Sequence, residues 1–259
     1  FGESIVTKRP VLDDIKSYLP ATLELALITA VLIIVFGILL GIVSTKYSGK
    51  WLDGIIRTLS YFGICAPAFL WAVFAMLLFA YMLPILPISG RISAGISPPV
   101  MVTGMYTIAF LLQGDVAGAL DSIKHLILPA VVMSFAGISQ AARITRSSMV
   151  ENLDKPYAYA ERAYGIPENK ILHKYLLKPS LNSTISVMAL DIAGIFGSAF
   201  LVEQIFGYPG LSNYGLTAML NKDVFAVSAV VMVLGIIVII FNLLADLVIR
   251  ALDPRVRLQ

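Results

Sequence analysis

Charge is scarce in this sequence and reactive side chains are scarcer: 14% of its 259 residues are charged, two are histidine and one is cysteine. The lone cysteine, Cys65, sits inside an apolar run, which excludes a disulfide framework and a cysteine-based metal cluster. No G-x-x-x-x-G-K-[ST] loop occurs, so the chain lacks that phosphate cradle for ATP. No basic stripe marks a nucleic-acid surface. The chain opens at Phe1-Gly2-Glu3 without a Met, a basic leader or a small-residue cleavage site, so no signal peptide is visible.

Apolar residues are plentiful, at 58%, and they gather into long runs instead of short amphipathic periods. That pattern excludes an ordinary soluble domain. A helix needs roughly 20 apolar residues to cross about 30 Å of hydrocarbon. The stretches 21–43, 58–82, 126–142, 184–202 and 224–245 qualify, the third being the shortest and carrying Pro129. The expected fold is an all-α membrane protein, a polytopic bundle with five visible transmembrane helices. Pro67 is expected to kink the second of them.

The basic residues are sorted along the chain. If the N-terminus lies outside, thirteen of the 19 fall in inner segments, among them Lys46, Lys50, Arg57, Arg143, Arg146, Lys155, Arg162, Lys170, Arg250, Arg255 and Arg257. The outer segments hold only Lys8, Arg9, Lys16, Arg91, Lys124 and Lys222, although they include the long stretch 83–125. The positive-inside rule therefore places the C-terminus in the cytoplasm. A chain that starts outside needs a preceding helix to carry it across, so six spans are expected in the native protein.

The longest inner segment, 143–183, reads as two short helices. Pro156 suits a first helical position, YAYAERAY follows from Tyr157 to Tyr164, and Gly165 suits a left-handed stop. Tyr157, Ala160, Glu161 and Tyr164 share one face. A second helix, from Pro167 to about Leu177, aligns Ile171, Leu172, Tyr175 and Leu176. A short amphipathic knob of this kind fits a groove on a partner, and it equally fits the surface of the inner leaflet.

With Arg146-Ser147-Ser148-Met149 before it, this segment resembles the cytoplasmic loop of ATP-binding-cassette importer permeases of the oligopeptide, dipeptide and nickel branch. Glu161-Arg162-Ala163-Tyr164-Gly165 stands where that branch reads A-R-A-x-G, and Tyr175-Leu176-Leu177-Lys178 replaces I-x-L-P, with Pro179 one position late. Further matches are Phe1-Gly2-Glu3-Ser4 with Arg9-Pro10-Val11, Leu86 to Arg91, His125 to Ala130, Glu203 to Leu211 and Leu252 to Arg257.

The resemblance implies a single transmembrane permease domain over 1–259. It comprises an outer segment 1–20, three visible spans in 21–143, a cytoplasmic coupling loop 144–183, two spans in 184–249 and a cytoplasmic tail 250–259. It further implies a cell-membrane, multi-pass transport subunit that is not itself an enzyme and has no catalytic residue or metal ligand. Such a subunit imports di- or oligopeptides, with nickel or another metal complex as the alternative cargo. Its partners would be a second related permease, two ATP-binding-cassette ATPases that hold ATP and Mg, an extracytoplasmic substrate-binding protein and the bilayer, but no nucleic acid. Tyr157, Ala160, Glu161, Arg162, Ala163, Tyr164 and Gly165 would form the coupling helix, and Glu203, Tyr208, Pro209 and Gly210 an outer gate.

Asp191 lies midway along the fourth visible span, where an ionisable group is costly enough to suggest a role in the path. Helix packing beside Gly194, Gly197 and Ser198 is the plainer reading. A proton-coupled secondary transporter using Asp191 is the rival mechanism. An intramembrane hydrolase would need a paired nucleophile and base, and no histidine falls in a span. Glu24 is expected at the headgroups, and Asp246 in an interfacial ion pair with Arg250. His125 and His173 fall on opposite sides of the membrane and are not expected to share a metal.

Overall fold

The computed structural model describes residues 1–100 and 103–252. The tail match from Asp253 to Arg257, with Arg255 and Arg257, lies outside them. Among the described residues the regular structure is helical, apart from one isolated antiparallel bridge between Glu3 and Pro10. The helices are α1 Val11–Lys46, α2 Trp51–Cys65, α3 Ala68–Met82, α4 Tyr106–Leu112, α5 Val116–Leu153, α6 Pro156–Ala163, α7 Glu168–Ile205, α8 Leu211–Leu220 and α9 Val224–Leu252. Helices α1, α5, α7 and α9 are each long and apolar enough to cross a bilayer, and α2 with α3 makes a fifth, broken candidate. Asp13 and Asp14 in the first turn of α1 and Lys46 in its last complement the helix dipole.

The second span is more than kinked. Ala66 adopts extended angles (φ −85°, ψ 131°) and Pro67 follows (φ −60°, ψ 146°), so α2 stops and α3 starts afresh. Proline lacks an N–H and disfavours the helical region for the residue before it, which explains the break. The segment 143–183 also departs from its expected form. Helix α5 runs on to Leu153, and the second loop helix does not end near Leu177 but continues as α7. The backbone stays helical through Pro179, and a π turn at Ile171–Leu176 comes just before it. Such local widening is how a spanning helix accommodates proline.

By internal contacts the chain divides into two compact units. The first comprises Phe1–Thr29, Pro67–Met133 and Gly194–Ile239. Its core joins Val11 and Ile15 to Leu211, Tyr214, Ala218, Ala226, Ala229 and Val230. Tyr18 stacks on Tyr214 with ring centroids 4.9 Å apart.

The second unit comprises Ala30–Ala66, Ser134–Ala193 and the described residues 240–252. Here small residues let α1 and α5 approach: a Cβ on Gly37 would lie 2.5 Å from Ala141 Cβ, and one on Gly41 would collide with Thr145. The Gly37-xxx-Gly41 spacing is the close-packing device of membrane helices. A larger residue at Gly41 should cost about 1–3 kcal/mol through overpacking. Met149 at the end of α5 packs with Ile42, Ala158, Ile171, Leu172 and Leu176. Of the apolar face foreseen for Ile171, Leu172, Tyr175 and Leu176, all but the half-buried Tyr175 are therefore buried.

Candidate functional site

Helix α6 begins as its sequence dictates, with Lys155 extended (φ −80°, ψ 148°) and Pro156 in the first turn. It ends at Gly165, whose φ of +72° falls where glycine is favoured. There Ile166 N–H bonds to Glu161 O at 3.1 Å and Gly165 N–H to Arg162 O at 2.9 Å, a Schellman-like closure of the last carbonyls. Ala158 is the one residue of α6 that is fully buried, seated among Ile42, Met149 and Ile171. Arg162 pairs with Glu168 at 2.7 Å across the glycine turn. Tyr157, Tyr159 and Tyr164 stay exposed, Tyr164 at 85%, and Ala160 and Ala163 are exposed beside them. Partial desolvation pushes the Tyr157 phenol up, while Lys155 pulls it the other way. All seven residues singled out from sequence thus fall on one small helix and its stop, anchored by an alanine that sequence reasoning passed over.

The base of this unit is held by a pair that sequence reasoning also missed. Asp53, in the first turn of α2, takes two hydrogen bonds from Arg146, Nε at 2.6 Å and Nη2 at 2.7 Å. It also accepts Ser44 Oγ at 2.6 Å and Gly49 N–H at 3.1 Å. The signal was available, because Asp53 is the only acid between Lys46 and Arg57. Asp53 is buried and Arg146 partly so, and removing one partner should cost about 1–3 kcal/mol.

In the first unit Glu203, Tyr208, Pro209 and Gly210 do come together, around the start of α8. Glu203 is fully buried and accepts Thr22 Oγ1 at 2.6 Å and Asn213 N–H at 2.8 Å, so its carboxylate sits at the positive end of α8. Thr22 Oγ1 in turn accepts Leu211 N–H at 2.8 Å. A Cβ on Gly210 would run into the Glu203 carboxylate. Tyr208 is fully buried, and that burial raises its phenol pKa above the usual tyrosine range. Pro209 is exposed.

Glu24 does not reach toward headgroups. It is 4% exposed, pairs with Arg91 at 2.5 Å, and accepts the first amides of α4, Thr107 at 2.7 Å and Tyr106 at 3.2 Å. The Arg91 guanidinium also lies 3.6 Å from the Tyr106 ring centroid. The stretch 83–105 folds back onto α1 and supplies a cation that hydropathy cannot reveal.

Asp246 and Arg250 are both exposed, and no ion pair joins them. Their i,i+4 spacing permits one, but in water such a pair is worth little. Asp191 is half-buried on α7, and its Oδ2 has no hydrogen-bond partner among the described residues. His125 is buried with Nδ1 2.9 Å from Asp121 O, His173 is exposed with Nδ1 2.8 Å from Asn169 O, and no cluster of three metal-ligating residues occurs among the described residues.

Among the described residues, long apolar helices, one of them broken, with a small capped helix between two of them, make the architecture of a polytopic membrane protein. The sequence matches the family described as "Binding-protein-dependent transport system inner membrane component" over residues 33–258, and the chain belongs to that family. It is 36% identical to the probable D,D-dipeptide transport system permease protein DdpB of Escherichia coli K12, covering 98% of this chain and 75% of that one. It is 32% identical to the dipeptide transport system permease protein DppB of Alkalihalophilus pseudofirmus, over 99% of this chain and 77% of that one. The fold is similar to a chain of the MetNI methionine ABC transporter in inward-facing conformations, with a TM-score of 0.63 at 14% identity, covering 90% of this chain and 93% of that one. The protein is a multi-pass inner-membrane transport subunit.

Proposed function

We propose that this chain forms half of the translocation path of an ATP-driven importer of di- or oligopeptides, with its C-terminus in the cytoplasm. The names of its relatives support the peptide substrate over nickel. ATP and Mg reside on partner ATPases, and this chain binds no cofactor. A second related permease completes the path, and a substrate-binding protein delivers cargo from outside.

The observation that carries the coupling role is α6: a rigidly closed helix tied down through Ala158 that leaves three tyrosines uncovered. Tyrosines of this kind anchor interfaces, because they are large, amphipathic and lose little entropy on binding. Tyr157, Ala160, Glu161, Arg162, Ala163, Tyr164 and Gly165 seat in a cleft of the ATPase. Closure of the ATPase pair moves α6, and through the Met149–Ile171 core it moves α5 and α7. ATP biases the path because α6 contacts differ between its two states. Glu203, Tyr208, Pro209 and Gly210 shape the outer gate, and Asp191 lines the path.

Affinity purification in mild detergent tests this reading: ATPase subunits and a related permease should accompany the chain, and recovery of the chain alone sinks it. The unpartnered Asp191 oxygen favours one rival, proton coupling. Uptake that collapses with the proton gradient while ATP is maintained would favour that rival.

A further inference from the structure

A polar cavity of about 290 Å³ opens in the second unit between α2 and the inner end of α5. Arg57, Ser60 and Tyr61 line it from α2, and Arg143, Arg146 and Ser147 from α5, with no acidic residue in its wall. Its three arginines are not equivalent. Arg146 is neutralised by Asp53 behind it. Arg143, which is exposed, bonds to the neutral Gln140 side chain at 3.1 Å, and neither it nor the exposed Arg57 makes an ion pair among the described residues. Two guanidinium charges therefore face the cavity uncompensated, next to serine hydroxyls.

The surroundings of the cavity indicate where its ligand comes from. On α2 the face turned away from the cavity is apolar and exposed: Trp51 at 75%, Ile55 at 46%, Leu59 at 53% and Phe62 at 60%. Such a surface suits acyl chains. The cavity thus opens beside a helix whose far face suits lipid, with its two arginines placed for a headgroup phosphate. Its volume is near the lower bound of small-molecule sites, about 300 Å³, which suits a headgroup and not a whole lipid. Arginine reads phosphate bidentately, and basic pockets between spanning helices take anionic headgroups.

We propose that this cavity binds the phosphate of an anionic phospholipid, with Arg57 and Arg143 as its charged ligands and Ser147 as a hydroxyl donor. The leaflet, the cytoplasmic one, rests on the topology proposed above, whereas the site itself does not. Occupancy would fix α2 to the inner end of α5, the helix that leads into α6.

The test uses the full chain with whatever subunits accompany it, delipidated in neutral detergent. Thermal melting is followed on titration with short-chain phosphatidylglycerol, with phosphatidylcholine of the same chain length, and with inorganic phosphate. Phosphatidylglycerol should raise the melting temperature and phosphatidylcholine should not. Arg57→Gln/Arg143→Gln should weaken the phosphatidylglycerol affinity about thirtyfold, and Arg57→Lys/Arg143→Lys should restore most of it. Ser147→Glu, which places a carboxylate in the cavity, should abolish the effect on its own, so a double variant that fails to fold does not end the test. Equal shifts with both lipids, or full protection in the Ser147→Glu protein, overturn the site. Equal protection by inorganic phosphate at the same concentration overturns the lipid and leaves a soluble phosphate ligand. Loss of the accompanying subunits bears on the coupling reading alone.

Discussion

Helices α6 and α8 are both short, both follow a chain turn, and each begins next to an extended residue, Lys155 or Gly210. Their surroundings are opposite. Helix α8 is capped by a carboxylate from the end of α7, braced by Thr22 of α1, and buries Leu211, Ser212, Tyr214 and Ala218. Helix α6 is closed by its own proline and glycine and buries one alanine. The difference separates a helix with one whole face buried inside the chain from one that leaves most of its surface uncovered. Changes at α8 should therefore register in stability, and changes at α6 in assembly.

The largest effect is expected at the α8 cap. Glu203→Ala leaves the Thr22 hydroxyl and the Asn213 amide without their buried acceptor, and should cost about 3 kcal/mol, read as a lower melting temperature of the purified protein. Glu203→Gln keeps an acceptor oxygen and should recover part of the loss. A Glu203→Ala protein as stable as the wild type would remove the contrast between the two helices.

Gly165→Val comes next. It forces a β-branched residue to φ +72°, with no neighbour within 4 Å of the new Cβ, so the cost is backbone strain alone, about 1–3 kcal/mol. Stability should fall modestly, but the Ile166-to-Glu161 closure should open and transport should uncouple from ATP hydrolysis. Wild-type substrate-stimulated ATPase together with wild-type uptake in this variant would refute a coupling role for the turn.

The same contrast explains what could be read from sequence. The ends of α6 are local: Pro156 opens it and Gly165 closes it within ten positions, so its start and stop were visible. The cap of α8 joins Glu203 to Thr22 from the opposite end of the chain, and the Glu24–Arg91 and Asp53–Arg146 pairs are likewise long-range. Hydropathy located the spans because burial in lipid demands length. It overstated the unity of the second span and put a gap before the fourth, since neither a proline break nor a proline-tolerant π turn changes mean apolarity. Ala158 escaped notice because an alanine carries no pattern of its own.

A smaller effect is expected where α8 gives way to α9. Asp223 is buried, which alone would raise its pKa. Hydrogen bonds from Ser4 Oγ at 2.6 Å, Ala226 N–H at 3.1 Å and Ile5 N–H at 2.7 Å outweigh that and hold it below the usual carboxylate range. A depressed folded pKa means that its contribution is complete above the unfolded value of about 3.9 and is lost as pH falls through the folded one. Melting temperature should therefore drop below about pH 4, and Asp223→Asn should flatten that part of the profile while costing about 1 kcal/mol at neutral pH. An unchanged acid slope in Asp223→Asn would assign acid sensitivity to other carboxylates.

The smallest effect on stability, and the sharpest division between the two helices, belongs to Tyr164→Ala. At 85% exposure the ring touches little of its own chain, so its removal should shift stability by no more than about 0.5 kcal/mol. If α6 waits for a partner, the same ring is a candidate anchor, and its loss should weaken ATPase binding by about 2 kcal/mol, roughly thirtyfold. The measurement is the ATPase affinity of detergent-purified protein beside its melting curve. Tyr214→Ala in α8 is the matched control, because its ring stacks on Tyr18 and its hydroxyl bonds Asp14 at 3.0 Å, so there the loss should fall on stability and leave ATPase affinity alone.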